Sequence, residues 1–189
     1  MPIKTTPAFE KWFGASKVVD AAGAPLVVYH GTAADITFFD ASKVGSKHVD
    51  VIGHFGDPDE NANPDTFYFS DDVETANWYA KDSAKTNKPK VGANVMPVYL
   101  ALKNPLVVDF MGEGIEYLAE DLERAKRDGN DGLIARNYND GGVSTHYIAF
   151  APGQIKSALG NNGCFDADHS DIRFSLVDQD EDDTEAPCP

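Results

Sequence analysis

Apolar residues recur at helical spacing in three parts of the chain. Phe9, Trp12 and Phe13 stand at positions i, i+3 and i+4, and Gly14 follows at the point where a short helix would end. Two further stripes at the same spacing are formed by Val73, Ala76 and Ala80, and by Ile115, Leu118, Leu122 and Ala125. The sequence therefore predicts three amphipathic helices.

Polar residues mark the start of the second predicted helix. Ser70 or Asp71 is placed to cap it, and Asp71 and Glu74 have the spacing of a capping box. Tyr79 lies one turn from Ala76, so we expect it on the flank of the buried face.

Short apolar runs bounded by turn-forming residues predict the strands. A hairpin is predicted first, with arms at residues 18–19 and 25–29, and its second arm continues into His30, Gly31 and Thr32. The later candidates are residues 66–69, 95–102, 106–108, 133–135 and 146–150. Roughly five to seven short strands and three helices in mixed order indicate an α+β domain and not a regularly alternating α/β one.

Three segments lack such periodicity. Residues 45–65 and 85–93 are predicted to be long loops, and loops of this kind commonly form lids or recognition surfaces. Residues 177–189 are strongly acidic and are expected to form a disordered tail. We therefore expect a single domain over residues 1–176.

Composition narrows the class of partner. The 189 residues are 42% hydrophobic, which is enough for a core, and their net charge is −15. A chain this acidic repels nucleic acid, so protein is the favoured macromolecular partner, and the sequence gives no sign of its oligomeric state. No apolar run reaches the ~20 residues that cross a bilayer, and no secretory signal is visible. Cys164 and Cys188 have no CxxC partner, so we expect a reduced, cytoplasmic protein.

Several kinds of chemistry lack their motifs. The sequence has no P-loop, no Rossmann glycine fingerprint after a strand, no nucleophile elbow and no zincin motif. Histidines and acids crowd residues 48–59, and residues 166–171 resemble the start of a calcium loop without its glycine and terminal Glu. Both groups are expected to be structural or to face solvent, so no metal site is predicted.

A sparser set of residues remains as the candidate site. His30 ends a predicted strand, Tyr68 lies in the next strand, and Tyr79 follows on the adjoining helix. Each residue alone is typical of a structural role, as a hydrogen-bonded imidazole or a core aromatic ring. Together they offer an imidazole beside a backbone turn and two aromatic faces that can sandwich a flat ring.

A series of short segments gives the chain a family resemblance. They are residues 11–14, 18–20, 25–32, 67–72, 96–100, 103–108, 131–134, 147–150, 154–158 and 171–175. In this order they resemble the ADP-ribosyltransferase domains of phage and mobile-element polyvalent proteins, within the diphtheria-toxin-like superfamily. The resemblance runs from Phe9 to Ser175, nearly the whole chain.

The resemblance implies a split, mixed or antiparallel β-sheet with a few flanking helices, which clamps NAD in a cleft as co-substrate. His30 would bond the adenosine-side ribose, and the Gly31 backbone would hold the nicotinamide amide. Tyr68 and Tyr79 would flank the nicotinamide, a flat cation that aromatic faces stabilise. The two remaining candidate NAD contacts are Thr32 and Ser70.

The chain departs from the family pattern at the catalytic carboxylate. Diphtheria-type enzymes have a Glu just before a Tyr-Ile-like pair on a late strand, and His146 stands there in this chain. Asp140 is the nearest substitute, although an Asp before Gly is more commonly a turn residue. His146 is a second catalytic candidate as a neutral base, Tyr79 is counted as catalytic too, and Gln154 offers only a hydrogen bond to a sugar.

The function that these features predict is mono-ADP-ribosylation of a protein, at a basic patch or an Arg side chain. Two alternatives stay open: an NAD glycohydrolase, in which water is the acceptor, and an inactive domain that binds NAD or a partner protein. The resemblance further implies a role as a toxin or effector in phage–host or inter-bacterial conflict.

Overall fold

A computed structural model describes residues 6–33, 36–39, 66–82, 94–114, 118–159, 165, 167–168 and 171–172. The predicted loops at 45–65 and 85–93 and the acidic tail lie outside these residues, as does the stretch 48–59 that was considered for a metal. Everything said below of structure refers to the described residues.

These residues form seven strands and three α-helices in mixed order, which confirms the α+β class. The elements are α1 (Pro7–Phe13), β1 (Val28–Thr32), β2 (Phe67–Ser70), α2 (Val73–Asp82), β3 (Asn94–Leu100), β4 (Leu106–Asp109), α3 (Leu118–Arg127), β5 (Gly132–Asn139), β6 (Val143–Ala149) and β7 (Ile155–Ser157). A 3-10 turn, Pro152–Gln154, leads into β7.

The strands form one mixed sheet in the order β4-β5-β6-β2-β1-β3-β7. The β4–β5 pair is parallel and every other neighbouring pair is antiparallel. Residues that face each other across a ladder project to the same side of a sheet. The register therefore divides the side chains between two faces.

One face carries all three helices, and we call it the helix face. The buried residues of α1 pack with Tyr99 of β3, α2 lies against Gly31 of β1, and the apolar stripe of α3 packs with Leu133 of β5. The stripe of α3 consists of Leu118 and Leu122. The registers of the sheet link these strand positions in one continuous row, so the three helices share a side.

The opposite face carries the largest apolar cluster. Phe67 and Phe69 of β2 and Val98 of β3 are buried there. Phe39, Val18 and Ile172, which lie outside the sheet, cover them. Burying apolar surface contributes about 25 cal/mol for each Å² removed from water, so the sheet is stabilised from both sides.

The middle of the sheet is weakly joined. β1 and β2 are paired at a single position, Tyr29 opposite Ser70, whereas β1 pairs with β3 along its whole length. Beyond Tyr29 the imidazole of His30 bridges the two strands, because its Nδ1 lies 2.8 Å from the carbonyl oxygen of Tyr68. A side chain thus replaces a backbone bond where the strands separate.

The boundaries of α1 follow from its sequence. Thr6 caps the helix by accepting a bond from the Phe9 amide, and Pro7 occupies the first turn. Gly14 ends the helix with φ +51°, a conformation that favours glycine, and its amide bonds the Glu10 carbonyl. The predicted helix and its stop are confirmed.

Other sequence predictions need correction. Asp72, and neither Ser70 nor Asp71, caps α2, because its carboxylate accepts from the amides of Glu74 and Thr75. Val73 is 44% exposed, and Thr75 is buried on the face where Val73 was expected. The buried stripe is formed by Thr75, Ala76 and Ala80, and Val73 lies to one side of it.

The predicted first hairpin is shorter than expected. Val19 and Pro25 form an isolated bridge across a turn that Asp20 holds through two bonds to backbone amides. The sheet itself begins only at Val28. The predicted second arm therefore belongs to the ladders with β2 and β3 and not to the hairpin.

Gly31 provides a test of the packing between β1 and α2. A Cβ at this position would lie 1.9 Å from the carbonyl oxygen of Ala76. Because a backbone carbonyl cannot move aside as a side chain can, we expect Gly31→Ala to destabilise the protein by at least about 2 kcal/mol. The free energy of unfolding in urea measures the loss.

Gly142→Ala is the matched control, since nothing lies within 4 Å of a Cβ there. We expect its stability to stay within about 0.5 kcal/mol of the wild type. Equal stability of the two variants would show that α2 does not pack against β1 this closely.

Candidate functional site

A bulge in β5 orients the first side chain of the candidate site. The register between β5 and β6 shifts between Ala135 and Tyr138, and Asn137 within the bulge has φ +51°. Strand alternation alone would turn Tyr138 away from the face that Ala135 shares, but the extra residue returns it to the helix face, opposite Ser144. Tyr138 thereby comes to lie against His146, with 4.7 Å between ring centroids.

Asp140 follows in the turn between β5 and β6. Its carboxylate accepts a hydrogen bond from the hydroxyl of Tyr79, a residue of α2. Burial and the negative charge of Asp140 together raise the pKa of Tyr79. The phenol therefore remains protonated at physiological pH, and the bond links α2 to the turn.

His146 lies on β6 between Ser70 of β2 and Ala135 of β5, and only 5% of its surface is exposed. Burial lowers the pKa of His146, and the negative charges of Asp140, Asp71 and Asp72 act against that shift. The imidazole is thus neutral near pH 7. Its Nε2 is buried without a hydrogen-bond partner among the described residues.

Tyr68 joins the same cluster from β2. It stands opposite Ile148, and its ring packs against the apolar cluster under α3. Burial raises the pKa of Tyr68, and a hydrogen bond with Thr66 partly offsets the effect. Tyr68 is also among the groups that raise the pKa of Tyr79.

His30 lies on the opposite face from this cluster. Its ring contacts Phe39 and Phe69, with centroids 5.0 Å and 5.5 Å away. Burial lowers the pKa of His30, and the bond to the Tyr68 carbonyl partly offsets this. A carbonyl only accepts, so Nδ1 carries the proton and Nε2 keeps its lone pair. His30 meets Tyr68 only through the backbone.

Three other predicted contacts have local explanations. Gly31 lies beneath α2, where a side chain would collide with Ala76. Ser70 accepts from the amide of Asp72 and bonds Ser144, so its hydroxyl ties the end of β2 to β6. Thr32 ends β1, half-buried, opposite Asn94 of β3.

The side chains of Gln154 and Asp131 are occupied by structural hydrogen bonds. Gln154 accepts from the amides of Phe150 and Ala151 and donates to the carbonyl of Asp131. Asp131 accepts from the amides of Lys103 and Asn104, as a turn residue would. With both ends of its side chain committed, Gln154 is not placed to bind a sugar.

The sequence analysis missed two contributors to the site. Tyr138 stands between two asparagines, and no motif distinguishes it; only the bulge turns it toward His146. The second contributor is the pair Asp71 and Asp72, whose charges both act on His146. Of the two, Asp71 was considered for capping, and neither was considered for the site. A signal was available for this pair, because two acids directly follow the strand that carries Tyr68.

The described residues contain neither a candidate metal-binding group of side chains nor a membrane-spanning helix. No group of three or more His, Cys, Asp or Glu residues that could hold a metal ion occurs in the described part of the chain. Among the same residues, no helix is long and apolar enough to cross a membrane.

Comparison with known proteins identifies the family. The family model described as ADP-ribosyltransferase in polyvalent proteins matches residues 20–116, a little over half of the chain. No curated protein and no solved structure shows a significant match. The chain belongs to this family of ADP-ribosyltransferase domains, and the resemblance noted from the sequence is confirmed. The matched range includes His30, Tyr68 and Tyr79 and ends before Asp140 and His146.

The lowered pKa of His146 predicts a pH dependence of stability. In the unfolded chain the imidazole has a pKa of about 6.5, and in the folded protein its pKa is lower. The contribution of neutral His146 to stability is therefore fully present above about pH 6.5. Below that pH it falls by up to about 1.4 kcal/mol per pH unit. We therefore expect His146→Gln to lose less stability than wild type between pH 7.5 and 5.5. Urea unfolding at both pH values measures the difference.

His30 provides an internal control, because its pKa is lowered as well and it is present in both proteins. Its contribution cancels in the comparison of the two proteins. The same pH dependence in wild type and His146→Gln would contradict the burial of a neutral His146.

Proposed function

We propose that this chain is a mono-ADP-ribosyltransferase that cleaves NAD between nicotinamide and ribose and transfers ADP-ribose to a protein. The observation that carries the proposal is the meeting of two tyrosines, a carboxylate and an imidazole on the helix face. These are Tyr68, Tyr79, Asp140 and His146. Family membership supplies the class of reaction, and this cluster supplies groups suited to it.

The two tyrosines suit the leaving group. Nicotinamide in NAD is a flat cation, and aromatic faces attract it by stacking and by cation–π interaction. Tyr68 and Tyr79 come from adjoining elements, β2 and α2, and lie within electrostatic range of each other. The bond from Tyr79 to Asp140 keeps one ring in position before NAD binds.

The carboxylate suits the reacting sugar. Cleavage of the nicotinamide–ribose bond passes through a state with positive charge on the ribose, as in glycoside hydrolysis. Negative charge fixed nearby stabilises that state more than the ground state, because the charge develops only during cleavage. Asp140 is our candidate for this role, delivered by a turn, where the family pattern has a strand Glu.

His30, on the opposite face of the sheet, is our candidate for the adenosine-side ribose, which NAD would reach through the gap where β1 and β2 separate. The lone pair on Nε2 of the neutral imidazole can accept a bond from a ribose hydroxyl, since Nδ1 is held by the Tyr68 carbonyl. We assign Gly31 and Thr32 to the same edge, where the separating strands leave backbone groups outside the β1–β2 ladder. Ser70 acts there by fixing the end of β2.

The charge of the chain supports a protein acceptor. A cavity of about 250 Å³ is lined by Val108, Asp109, Phe110, Met111, Glu113 and Asp121. Phe110 contacts Tyr138 edge to face, and Tyr138 contacts His146, so the cavity lies two side chains from the cluster. Asp121 is paired with Arg124 at 2.8 Å, and the charges of Asp109 and Glu113 favour a segment with basic residues. We further propose that the acceptor belongs to a bacterial or infected-host cytoplasm and that the chain acts as a phage-related toxin or effector.

Nicotinamide release is the direct test. We expect the purified chain to release nicotinamide from NAD when a cell lysate supplies acceptors, and labelled NAD to mark a protein band. Release without any acceptor and without a labelled protein would support the glycohydrolase. NAD binding with no release in either condition would support an inactive binding domain.

Variants separate binding from cleavage. We expect Tyr68→Ala and Tyr79→Ala each to weaken NAD binding by about 1–3 kcal/mol, since each loses one stacking face. Asp140→Asn should keep NAD affinity and lower kcat by about a hundredfold or more, since it removes the charge that acts in the transition state. Steady-state kinetics with calorimetric NAD binding distinguish the two effects.

Asp128→Asn is the matched control for Asp140→Asn, because Asp128 is exposed beyond the end of α3. It should show wild-type kcat and NAD affinity. Full activity of Asp140→Asn would pass the role of the carboxylate to another acid, and unchanged NAD binding in both tyrosine variants would contradict the sandwich.

A further inference from the structure

The unpartnered Nε2 of His146 is not explained by the packing around it. It is a buried nitrogen without a hydrogen-bond partner among the described residues, on a side chain that is only 5% exposed. Buried polar atoms are rarely left unpaired, since an unpaired atom loses its bond to water and gains none in return. An atom in this condition beside a candidate reaction site points to a partner supplied by a ligand.

The groups around His146 define what that partner can be. The ring of Tyr138 packs against the imidazole from β5, and Ser70 stands opposite on β2. Three acids act on the imidazole: Asp140 from the turn after β5, and Asp71 and Asp72 from the connection between β2 and α2. Two tyrosines of the same cluster, Tyr68 and Tyr79, stay protonated, because burial raises the pKa of each.

These surroundings suit His146 to act as a general base. A neutral imidazole has one lone pair to accept a proton, and the three nearby carboxylates stabilise the imidazolium that results. The arrangement follows the logic by which a carboxylate supports a histidine base in hydrolases.

We propose that Nε2 of His146 takes the proton from a protein hydroxyl group that accepts ADP-ribose, so that the acceptor is an alcohol side chain. The inference rests on the proposed transferase function and names its acceptor chemistry. One lone pair on a buried nitrogen matches the single donor of an O–H group. The proposed hydroxyl acceptor differs from the basic patch or Arg side chain that the sequence suggested.

The transfer breaks one bond to the ribose and forms another. The bond between the ribose C1′ and the nicotinamide nitrogen breaks, and its electron pair leaves with nicotinamide as a neutral molecule. The hydroxyl oxygen attacks C1′ and forms the new C–O bond, while its proton passes to Nε2 of His146. NAD supplies the ADP-ribosyl group, and no oxidant or reductant takes part.

Because Nε2 is buried, the hydroxyl reaches it only after a local movement, for which the turn that carries Asp140 is placed. Gly141 and Gly142 follow Asp140 in this turn, and no atom lies within 4 Å of where their Cβ atoms would be. The turn can therefore change conformation without displacing the core. The bond from Tyr79 holds it in the position seen here.

The test is the pH profile of transfer by the full chain, with labelled NAD and lysate as acceptor. We expect the wild-type rate to fall tenfold per unit below an apparent pKa lower than about 6.5, as a base must be unprotonated. His146→Gln should lose this acid limb and about a hundredfold or more of the rate, while NAD affinity stays within about twofold. Mass spectrometry should locate ADP-ribose on the side-chain oxygen of Ser, Thr or Tyr.

Three outcomes would overturn the inference. An acid limb that persists in His146→Gln, or ADP-ribose found on a guanidine nitrogen, overturns hydroxyl activation and leaves the transferase proposal standing. No nicotinamide release by wild type under any condition overturns both. The two failures are thus distinguishable.

A second measurement applies if His146→Gln does not fold. NMR titration of the wild-type histidines gives the pKa of His146 directly, and it should equal the kinetic pKa of the acid limb. A purely structural His146 would show no such agreement, and a mismatch of one unit or more overturns the inference.

Discussion

The candidate site depends on one irregularity in β5. Between Ala135 and Tyr138 the ladder with β6 takes an extra residue, which turns Tyr138 back to the helix face and brings the following turn under α2. Without it, strand alternation would send Tyr138 to the other side of the sheet. The contact of Tyr138 with His146 and the bond from Tyr79 to Asp140 both lie just beyond this point. Bulges beside active sites commonly aim side chains in this way.

The elements were more predictable from sequence than the site. Three apolar stripes and several apolar runs located the helices and strands, because burial on one face imposes a period that survives in the sequence. Which residues meet across the sheet depends on register and bulges, and these leave no periodic signal. His30 and Tyr68 were therefore expected in one cleft, although their side chains lie on opposite faces. Asp140 accepts a bond from Tyr79 and its charge acts on His146, and neither relation could be predicted from the sequence.

The position of negative charge differs from what the resemblance implied. A strand Glu would place one carboxylate beside the ribose, whereas here a histidine occupies the strand and acids approach it from two connections. Hydrogen bonds hold each of these charges in place: the Tyr79 bond to Asp140, the two bonds between Asp71 and Thr145 of β6, and the capping bonds of Asp72.

The sparse pairing of β1 with β2 has a mechanical consequence. The sheet consists of two stiff ladders, β4-β5-β6-β2 and β1-β3-β7, that share one backbone pair and one imidazole bridge. Helix α2 follows β2 in the chain yet packs chiefly on β1, so it crosses the boundary between the two ladders. The apolar cluster on the opposite face also crosses this boundary, because it contains Phe69 of β2 and Val98 of β3. Side chains on both faces, and not a continuous backbone ladder, therefore hold the two halves of the sheet together.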